Sequence, residues 1–253
     1  MPRTARRKSE TNIYHIMIRG INRQNIFVDD EDNEKFINTL AKYRREVEYE
    51  LYAYCLMGNH IHLLVKEGNE VLSNTMRRIG ASYVYWYNWQ YDRKGHLFQD
   101  RYKSEPVEDD TYFLTVLRYI HQNPLKAGLT KKIDLYQWSS YQEYIKEAKI
   151  IDTDFVLAMF AENRDKAIKE FKDFNLAINN DQCLDIIPER NTISDKMVRQ
   201  LVANKYNLEL ASLHSEEPET QAEVFKYLKG IDGISLRQLS RLSGFTVNKI
   251  YRA

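Results

Sequence analysis

Residues 51–66, LYAYCLMGNHIHLLVK, limit the possible fold more than any other part of the chain. They are rich in β-branched and aromatic side chains, and their apolar positions do not recur at helical spacing, which favours strands. The Met-Gly-Asn run at 57–59 indicates a turn or kink, so we expect a hairpin. Alternate side chains of a strand share one face, so His60 and His62 point the same way. Two such imidazoles can bind one divalent ion, although an ordinary strand with hydrogen-bonded histidines is the alternative that this spacing alone favours.

Hydrophobic periodicity predicts the elements around this hairpin. The predicted elements are a strand at Ile13–Arg19, a helix from about 29 to 48, the hairpin, a helix at 71–91, a short strand within 95–107 and a helix at 109–123. We expect the last helix to end at Asn123, because Pro124 lacks the N–H that would continue it. The order β-α-β-β-α-β-α predicts an α+β domain with an antiparallel sheet and helices on one face.

The C-terminal part of the chain has a different pattern. We therefore divide the whole chain into a domain at 1–148 and a helical region at 149–253. Strand patterns fade there, and 151–179 and 194–253 are predicted to be helical. Ser240, Gly244 and Ile250 have the spacing of a helix-turn-helix, with a small residue at the crossing, a glycine in the turn and an apolar anchor. A plain helical hairpin fits equally well. In the helix-turn-helix alternative the side chains facing outward are Thr246, Asn248, Lys249 and Arg252.

The overall charge, +1, indicates no partner, but basic residues occur in local clusters. These lie among 18 tyrosines and 3 tryptophans, and such mixtures suit stacking on unpaired bases as well as a tyrosine-rich core. Two distant cysteines favour a reducing compartment over a disulfide framework. No segment has the length and apolarity of a membrane span, so we expect a cytoplasmic protein without a membrane partner.

A second set of polar residues lies on the helix predicted at 109–123. Tyr119 and Asn123 are four positions apart and therefore share a helical face, whereas His121 points elsewhere. Two imidazoles and an amide oxygen could hold a metal ion beside the phenol, which suits attack of a phenolate on phosphorus. The alternative is a tyrosine that only packs on the sheet.

Five ordered blocks resemble the HUH-type single-tyrosine transposases that act on single-stranded DNA. MGNHIHLLV resembles the His-hydrophobic-His signature of that family, and RYIHQNPLKAGL resembles its catalytic helix. YHIMIRGINRQNIF, GHLFQDRYKS and WSSY occur in the expected order, so the resemblance covers about 12–144. The chain is most similar to the longer branch associated with repetitive extragenic palindromes (REP), which carries a C-terminal helical extension. Gly58 stands where the family usually has proline, which we expect to loosen the turn without removing a ligand.

The resemblance implies a ferredoxin-like domain that nicks and joins single-stranded DNA near an imperfect hairpin. It implies Tyr119 as the nucleophile, His60 and His62 as metal ligands, Asn123 as the third ligand, and Mg²⁺ or Mn²⁺ as the cofactor. Cleavage would leave a 5′-phosphotyrosine and a free 3′-hydroxyl, and the protein would be a monomer or a homodimer.

DNA would contact basic and amide side chains in both parts of the chain. The predicted DNA-binding residues are Arg19, Asn22, Arg23, Arg77, Arg78, Arg93, Lys94, Arg101, Lys103, Arg118, Asn248, Lys249 and Arg252. Two other functions remain open: a catalytically idle DNA-binding regulator, and a metal-dependent phosphodiesterase that activates water at the two histidines.

Overall fold

The computed structural model describes residues 6–184, 193–231 and 233–253, which belong to two compact units, 1–185 and 186–253. The first unit is built on a four-stranded antiparallel sheet. Its strands are β1 (Ile13–Arg19), β2 (Glu50–Met57), β3 (His60–Lys66) and β4 (Lys103–Pro106). Their order, β2-β3-β1-β4, is that of the split β-α-β arrangement of ferredoxin-like folds. The predicted α+β class and the ferredoxin-like antiparallel sheet are therefore confirmed.

Three long helices join or follow these strands. They are α1 (Asp30–Val47), α2 (Leu72–Gln90) and α3 (Asp110–Lys126). Asp29 and Asp109 cap α1 and α3 by accepting backbone N–H groups of the first turn, which explains why both helices begin after an aspartate. The sequence predicts these starting points to within one residue, because the caps are local.

The two faces of the sheet are covered by different helices, so the expectation that the helices lie on one face is wrong, because α3 packs on the face opposite to that of α2. Ile18 and Ile61 are opposite each other in the register of β1 and β3, so they share one face, and the next residue, His62, lies on the other. Ile18 borders a groove together with Met76 of α2, and α1 packs against α2 on this side. Tyr119 of α3 contacts the ring of His62 on the opposite face. The helix expected to carry the nucleophile therefore packs over the histidines.

The helix α3 continues through Pro124 to Lys126, three residues beyond its predicted end at Asn123. Proline removes a single backbone donor, and near the end of a helix that costs one intrahelical bond. The Ala127 N–H still donates to the Asn123 carbonyl at 2.9 Å, which closes the last turn. As a result Lys126 stays on the helix, two turns after Tyr119.

Residues 149–184 belong to the first unit. They include α5 (Thr153–Ala158) and α6 (Arg164–Leu176), which follow the short helix α4 (Tyr141–Ile145). Phe171 is fully buried and stacks on Tyr144 with ring centroids 4.4 Å apart. The boundary between the compact units is thus at 185/186. The sequence pattern instead predicts a division at 148/149, between a catalytic domain and a helical region. That functional division stays a prediction.

The second unit contains the helices α7 (Asp195–Tyr206), α8 (Pro218–Lys229), α9 (Leu236–Ser243) and α10 (Val247–Arg252). Gly244 ends α9 in the left-handed region, with φ of 77°, and Ile250 of α10 is fully buried. The Ser240 hydroxyl donates to the Phe245 carbonyl and so holds the turn. These contacts confirm the helix-turn-helix-like end. Thr246, however, caps α10 by accepting the Lys249 N–H.

No helix in the three described ranges is long and apolar enough to cross a membrane.

Candidate active site on the histidine face of the sheet

His60 and His62 lie on β3 with one residue between them, and their rings meet at a centroid distance of 5.2 Å. Asn59 Oδ1 is 2.6 Å from His60 Nδ1. Because a carboxamide oxygen only accepts, this Nδ1 carries the proton in the neutral ring and the lone pair is on Nε2. The strand thus presents two imidazoles on one face, with the first one oriented by its neighbour in sequence.

The imidazole of His62 is fully buried and shares a hydrogen bond with His15 of β1. His62 Nδ1 is 3.0 Å from His15 Nε2, and His62 Nε2 is buried without a hydrogen-bond partner among the described residues. Burial lowers the pKa of His62 well below its usual value, and the neighbouring His15 and His60 lower it further. Burial also lowers the pKa of His15 to about 3. His62 is therefore a neutral imidazole, the form that binds metal ions.

Tyr119 reaches the same place from α3. Its ring meets His62 edge to face, with centroids 5.6 Å apart, and it lies 5.8 Å from the ring of His15. The side chain is buried. The phenol thus packs on the sheet, as the structural alternative expects, and it does so against the histidines.

Asn123 follows Tyr119 by one helical turn, is nearly buried, and has an Nδ2 without a hydrogen-bond partner in the described part of the chain. No three His, Cys, Asp or Glu side chains come together as a metal site in residues 6–184, 193–231 and 233–253. A divalent ion beside His60 and His62 therefore needs a ligand of another type, and the amide oxygen of Asn123 is chemically suitable. The orphaned buried imidazole nitrogen of His62 fits such an ion.

The structure adds a cation that the sequence analysis did not single out. Lys126 Nζ lies 5.6 Å from the centroid of the Tyr119 ring and donates to Asn179 Oδ1. The helix α3 thus places a positive charge beside the Tyr119 ring. Lys126 is seven positions after Tyr119, a spacing that puts both residues on one face of a helix. The sequence did not indicate this contact, because the helix was expected to end at Asn123. His15 was visible in the YHI block, but nothing in the sequence indicated its partner.

The turn before His60 is held by the loop after β1. The Gly58 carbonyl accepts the N–H groups of Ile26 and Phe27, at 2.8 and 3.2 Å. Gly20 allows this loop to fold closely, because a Cβ there would lie 2.3 Å from the Gln24 carbonyl oxygen. The expected loosening of the turn by Gly58 stays a prediction.

Arg118, predicted to bind DNA, lies beside a carboxylate. It makes a bidentate ion pair with Asp181, with N–O distances of 2.7 and 3.0 Å, and its guanidinium stacks on Phe174. His121, on the next turn of α3, bonds to Ser140 Oγ and Asn175 Oδ1. Arg118 thus attaches the segment after α6 to α3, and His121 attaches α6 itself.

The remaining predicted DNA-binding residues fall into two groups. Four side chains contact the protein: Arg19 donates to Gln99, Arg78 pairs with Glu70, Arg93 donates to Gln24, and Lys249 donates to Gln221. The others are exposed: Asn22, Arg23, Arg77, Lys94, Arg101, Lys103, Asn248 and Arg252.

Arg77 and Arg101 border the same groove, which has a volume of about 820 Å³ and lies between α2 and residues 96–102. Phe98 and Tyr102 contribute aromatic rings to it. Because Ile18 lines the groove, it opens on the sheet face opposite to His62. The structure therefore brings these two arginines together, away from the histidines.

Residues 8–123 match the family model described as transposase IS200 like. A solved structure of a REP-associated tyrosine transposase bound to a REP hairpin aligns with a TM-score of 0.51 and 17% identity, over 61% of this chain and 90% of that one. A protein of Deinococcus radiodurans R1, provisionally described as a transposase, aligns over 50% of this chain and 97% of its own, with 17% identity and a TM-score of 0.35. No curated protein matched significantly.

The matched residues 8–123 contain the whole sheet, both histidines of β3 and Tyr119. The likeness to the hairpin-bound structure, at 17% identity, concerns the fold alone. Over residues 8–123, somewhat less than half of its length, the chain matches the family described as transposase IS200 like.

Proposed function

We propose that the protein cuts and rejoins single-stranded DNA with Tyr119 as the nucleophile. The observation that carries this proposal is the packing of the phenol against His62, whose buried Nε2 has no hydrogen-bond partner among the described residues. His60, His62 and the amide oxygen of Asn123 would hold Mg²⁺ or Mn²⁺. When bound, the ion supplies a positive charge that polarises an oxygen of the scissile phosphate.

The proposed reaction uses the phenol oxygen of Tyr119 as the attacking atom. The Tyr119 phenolate attacks phosphorus, a new O–P bond forms, and the bond from phosphorus to the 3′ oxygen breaks. The leaving oxygen takes a proton and becomes a free 3′-hydroxyl, while the 5′ side stays attached as a phosphotyrosine. Lys126 supports the anionic form of the phenol through its charge. Because the link keeps the energy of a phosphodiester, a 3′-hydroxyl can reverse the step and join strands without ATP.

The DNA is proposed to contain a hairpin close to the cleavage site. A protein with this fold was solved bound to a REP hairpin, which supports this substrate class. Within this chain, the groove with Arg77 and Arg101 offers charge and aromatic surface for the strand. Asn248, Lys249 and Arg252 on α10 are proposed to help select the DNA. The protein would act in the cytoplasm, as a monomer or a homodimer.

The test is formation of a covalent protein–DNA adduct on a denaturing gel. Tyr119→Phe removes one oxygen and preserves the ring that packs on His62, so folding and DNA binding should survive while cleavage and adduct vanish together. Tyr112→Phe is the matched control, because Tyr112 lies on the same helix and its hydroxyl donates to Glu105.

The outcomes separate this proposal from its two alternatives. Persistent adduct in Tyr119→Phe would mean that another tyrosine is the nucleophile. Cleavage without any adduct would indicate activated water, the phosphodiesterase alternative. If the wild-type protein binds DNA in the presence of metal but does not cleave it, the protein is a catalytically idle DNA-binding regulator.

A further inference from the structure

We propose that His15 is a positioning residue for the metal site: its hydrogen bond to His62 selects the tautomer of that imidazole which can bind the ion. The inference rests on the proposed function, since it assigns a role toward the same metal.

The sheet brings the two histidines together. In the register of β1 and β3, Met17 is opposite His62 and His15 is opposite Leu64, so His15 and His62 are diagonal neighbours on one face. Their ring centroids are 5.2 Å apart, and both side chains are fully buried. His15 Nε2 and His62 Nδ1 are 3.0 Å apart, a hydrogen-bonding distance.

Two neutral imidazoles share one proton in such a bond, and only two arrangements are possible. If His15 Nε2 carries the proton, it donates to His62 Nδ1, and the proton of His62 is on Nε2, facing the site. That form cannot bind a cation. If His62 Nδ1 donates to His15 Nε2 instead, His62 Nε2 has the lone pair that a ligand requires, and the proton of His15 is on its Nδ1.

Neither arrangement satisfies every nitrogen in the metal-free protein. His15 Nδ1 and His62 Nε2 are both buried without hydrogen-bond partners among the described residues. Each arrangement therefore leaves one N–H and one lone pair unpaired. A cation at His62 Nε2 satisfies the lone pair in the second arrangement only, so metal binding and the proton position on His62 are coupled.

The surroundings make a purely structural role for His15 costly. His15 is fully buried, and its ring lies against the rings of His62 and Tyr119. An aliphatic side chain would fill the same volume without the loss of hydration that a partly unsatisfied imidazole suffers. The geometry instead corresponds to the outer partner that orients a metal-binding histidine.

The experiment measures Mn²⁺ binding to the metal-stripped full-length protein by calorimetry, with two variants of His15. His15→Gln places an amide oxygen near the former Nε2 and can accept from His62 Nδ1. His15→Leu has a similar volume and no acceptor. We expect Leu to weaken Mn²⁺ binding by roughly 10–100-fold, the usual loss for such an outer partner, and Gln to restore most of it. His121→Gln is the matched control, a buried histidine of the same unit that bonds to Ser140 and Asn175.

A second measurement makes the result independent of folding defects. Nitrogen-15 NMR of the wild-type protein saturated with Mg²⁺ should place the proton of the shared hydrogen bond on His62 Nδ1. A proton on His15 Nε2 in that state would overturn the proposal even if the leucine variant failed to fold.

The results distinguish the proposed metal site from the proposed role of His15. If the wild-type protein does not bind Mn²⁺, or if His62→Ala binds it normally, the proposed metal site is wrong and this role of His15 is wrong with it. If wild type binds, His62→Ala does not, and His15→Leu binds like wild type, only the role of His15 is refuted.

Discussion

His62 and Tyr119 meet edge to face, with ring centroids 5.6 Å apart and ring planes at 78°. One residue is on a central strand of the sheet and the other on a helix that crosses the sheet face. Their contact therefore depends on how α3 packs on β2 and β3, and it brings a nucleophile candidate to the metal-ligand candidates.

The groove between α2 and residues 96–102 should contribute to the salt dependence of DNA binding. Replacing Arg77 and Arg101 together by Gln removes two positive charges from its border. Each lost phosphate contact should reduce the slope of log affinity against log salt by roughly 0.7 on single strands. Fluorescence anisotropy with a single-stranded oligonucleotide, at several KCl concentrations, measures this slope.

Arg45→Gln is the control for that pair, because Arg45 is an exposed arginine of α1 that does not line the groove. An unchanged slope in the double variant would exclude the groove from the DNA path.

The ion pair of Arg118 and Asp181 should stabilise the fold. Both side chains are mostly shielded, at 15% and 13% exposure, and the pair is bidentate. Arg118→Gln and Asp181→Asn should each lower the free energy of unfolding by about 1–3 kcal/mol, and the double variant should cost little more than either single one. Urea denaturation provides these values.

DNA affinity tests the second role predicted for Arg118. If Arg118 contacts only Asp181, neither variant should change affinity under conditions in which both are folded. A loss of affinity in Arg118→Gln alone would show that this arginine also binds DNA.

Two truncated chains should distinguish the residues that stabilise α3 from those that select DNA. A chain ending at 184 keeps Phe171, Asn175 and Asp181, so we expect it to fold and bind metal, with relaxed preference among DNA sites. A chain ending at 147 loses these contacts, and removal of the buried Phe171 ring alone should cost about 3–5 kcal/mol. Thermal unfolding and cleavage of a panel of hairpin substrates measure the two effects. Equal site preference in the 1–184 chain and the full-length protein would limit the second unit to a role unrelated to DNA choice.

His121 should make stability fall as the solution becomes acidic. Burial lowers the pKa of His121 from 6.5 to about 4, against a smaller opposing effect of its hydrogen bond to Asn175. Between these values the unfolded chain binds a proton that the folded protein does not, so stability decreases as pH falls from 6.5 towards 4. The contribution is at most about 1.4 kcal/mol per pH unit.

His121→Gln should flatten that part of the stability curve, measured by urea denaturation at several pH values, by about one bound proton. A variant of His96, an exposed histidine, is the control. A slope in His121→Gln equal to that of the wild type would contradict a neutral, buried imidazole at this position.

Local patterns predicted much of the fold and part of the site. The alternation of His60, Ile61 and His62 places the histidines on one face, and Ile13–Arg19 forms the predicted strand with the same bounds. Gly244 ends α9 at the position that its spacing indicated. These features depend on backbone geometry over a few residues, which side-chain type reveals directly.

Other relationships required the tertiary structure. His15 contacts His62 only because β1 and β3 pair in one register, and a shift by a single residue would turn His15 to the other face. Lys126 approaches Tyr119 because α3 continues through Pro124. Residues 149–184 belong to the first unit because Phe171 stacks on Tyr144 and Asp181 pairs with Arg118. The sequence by itself determined which side chains share a strand or helix face, since that is set by backbone periodicity. Which faces meet was decided by packing between distant segments, because burial and pairing energies depend on the partner that each face finds.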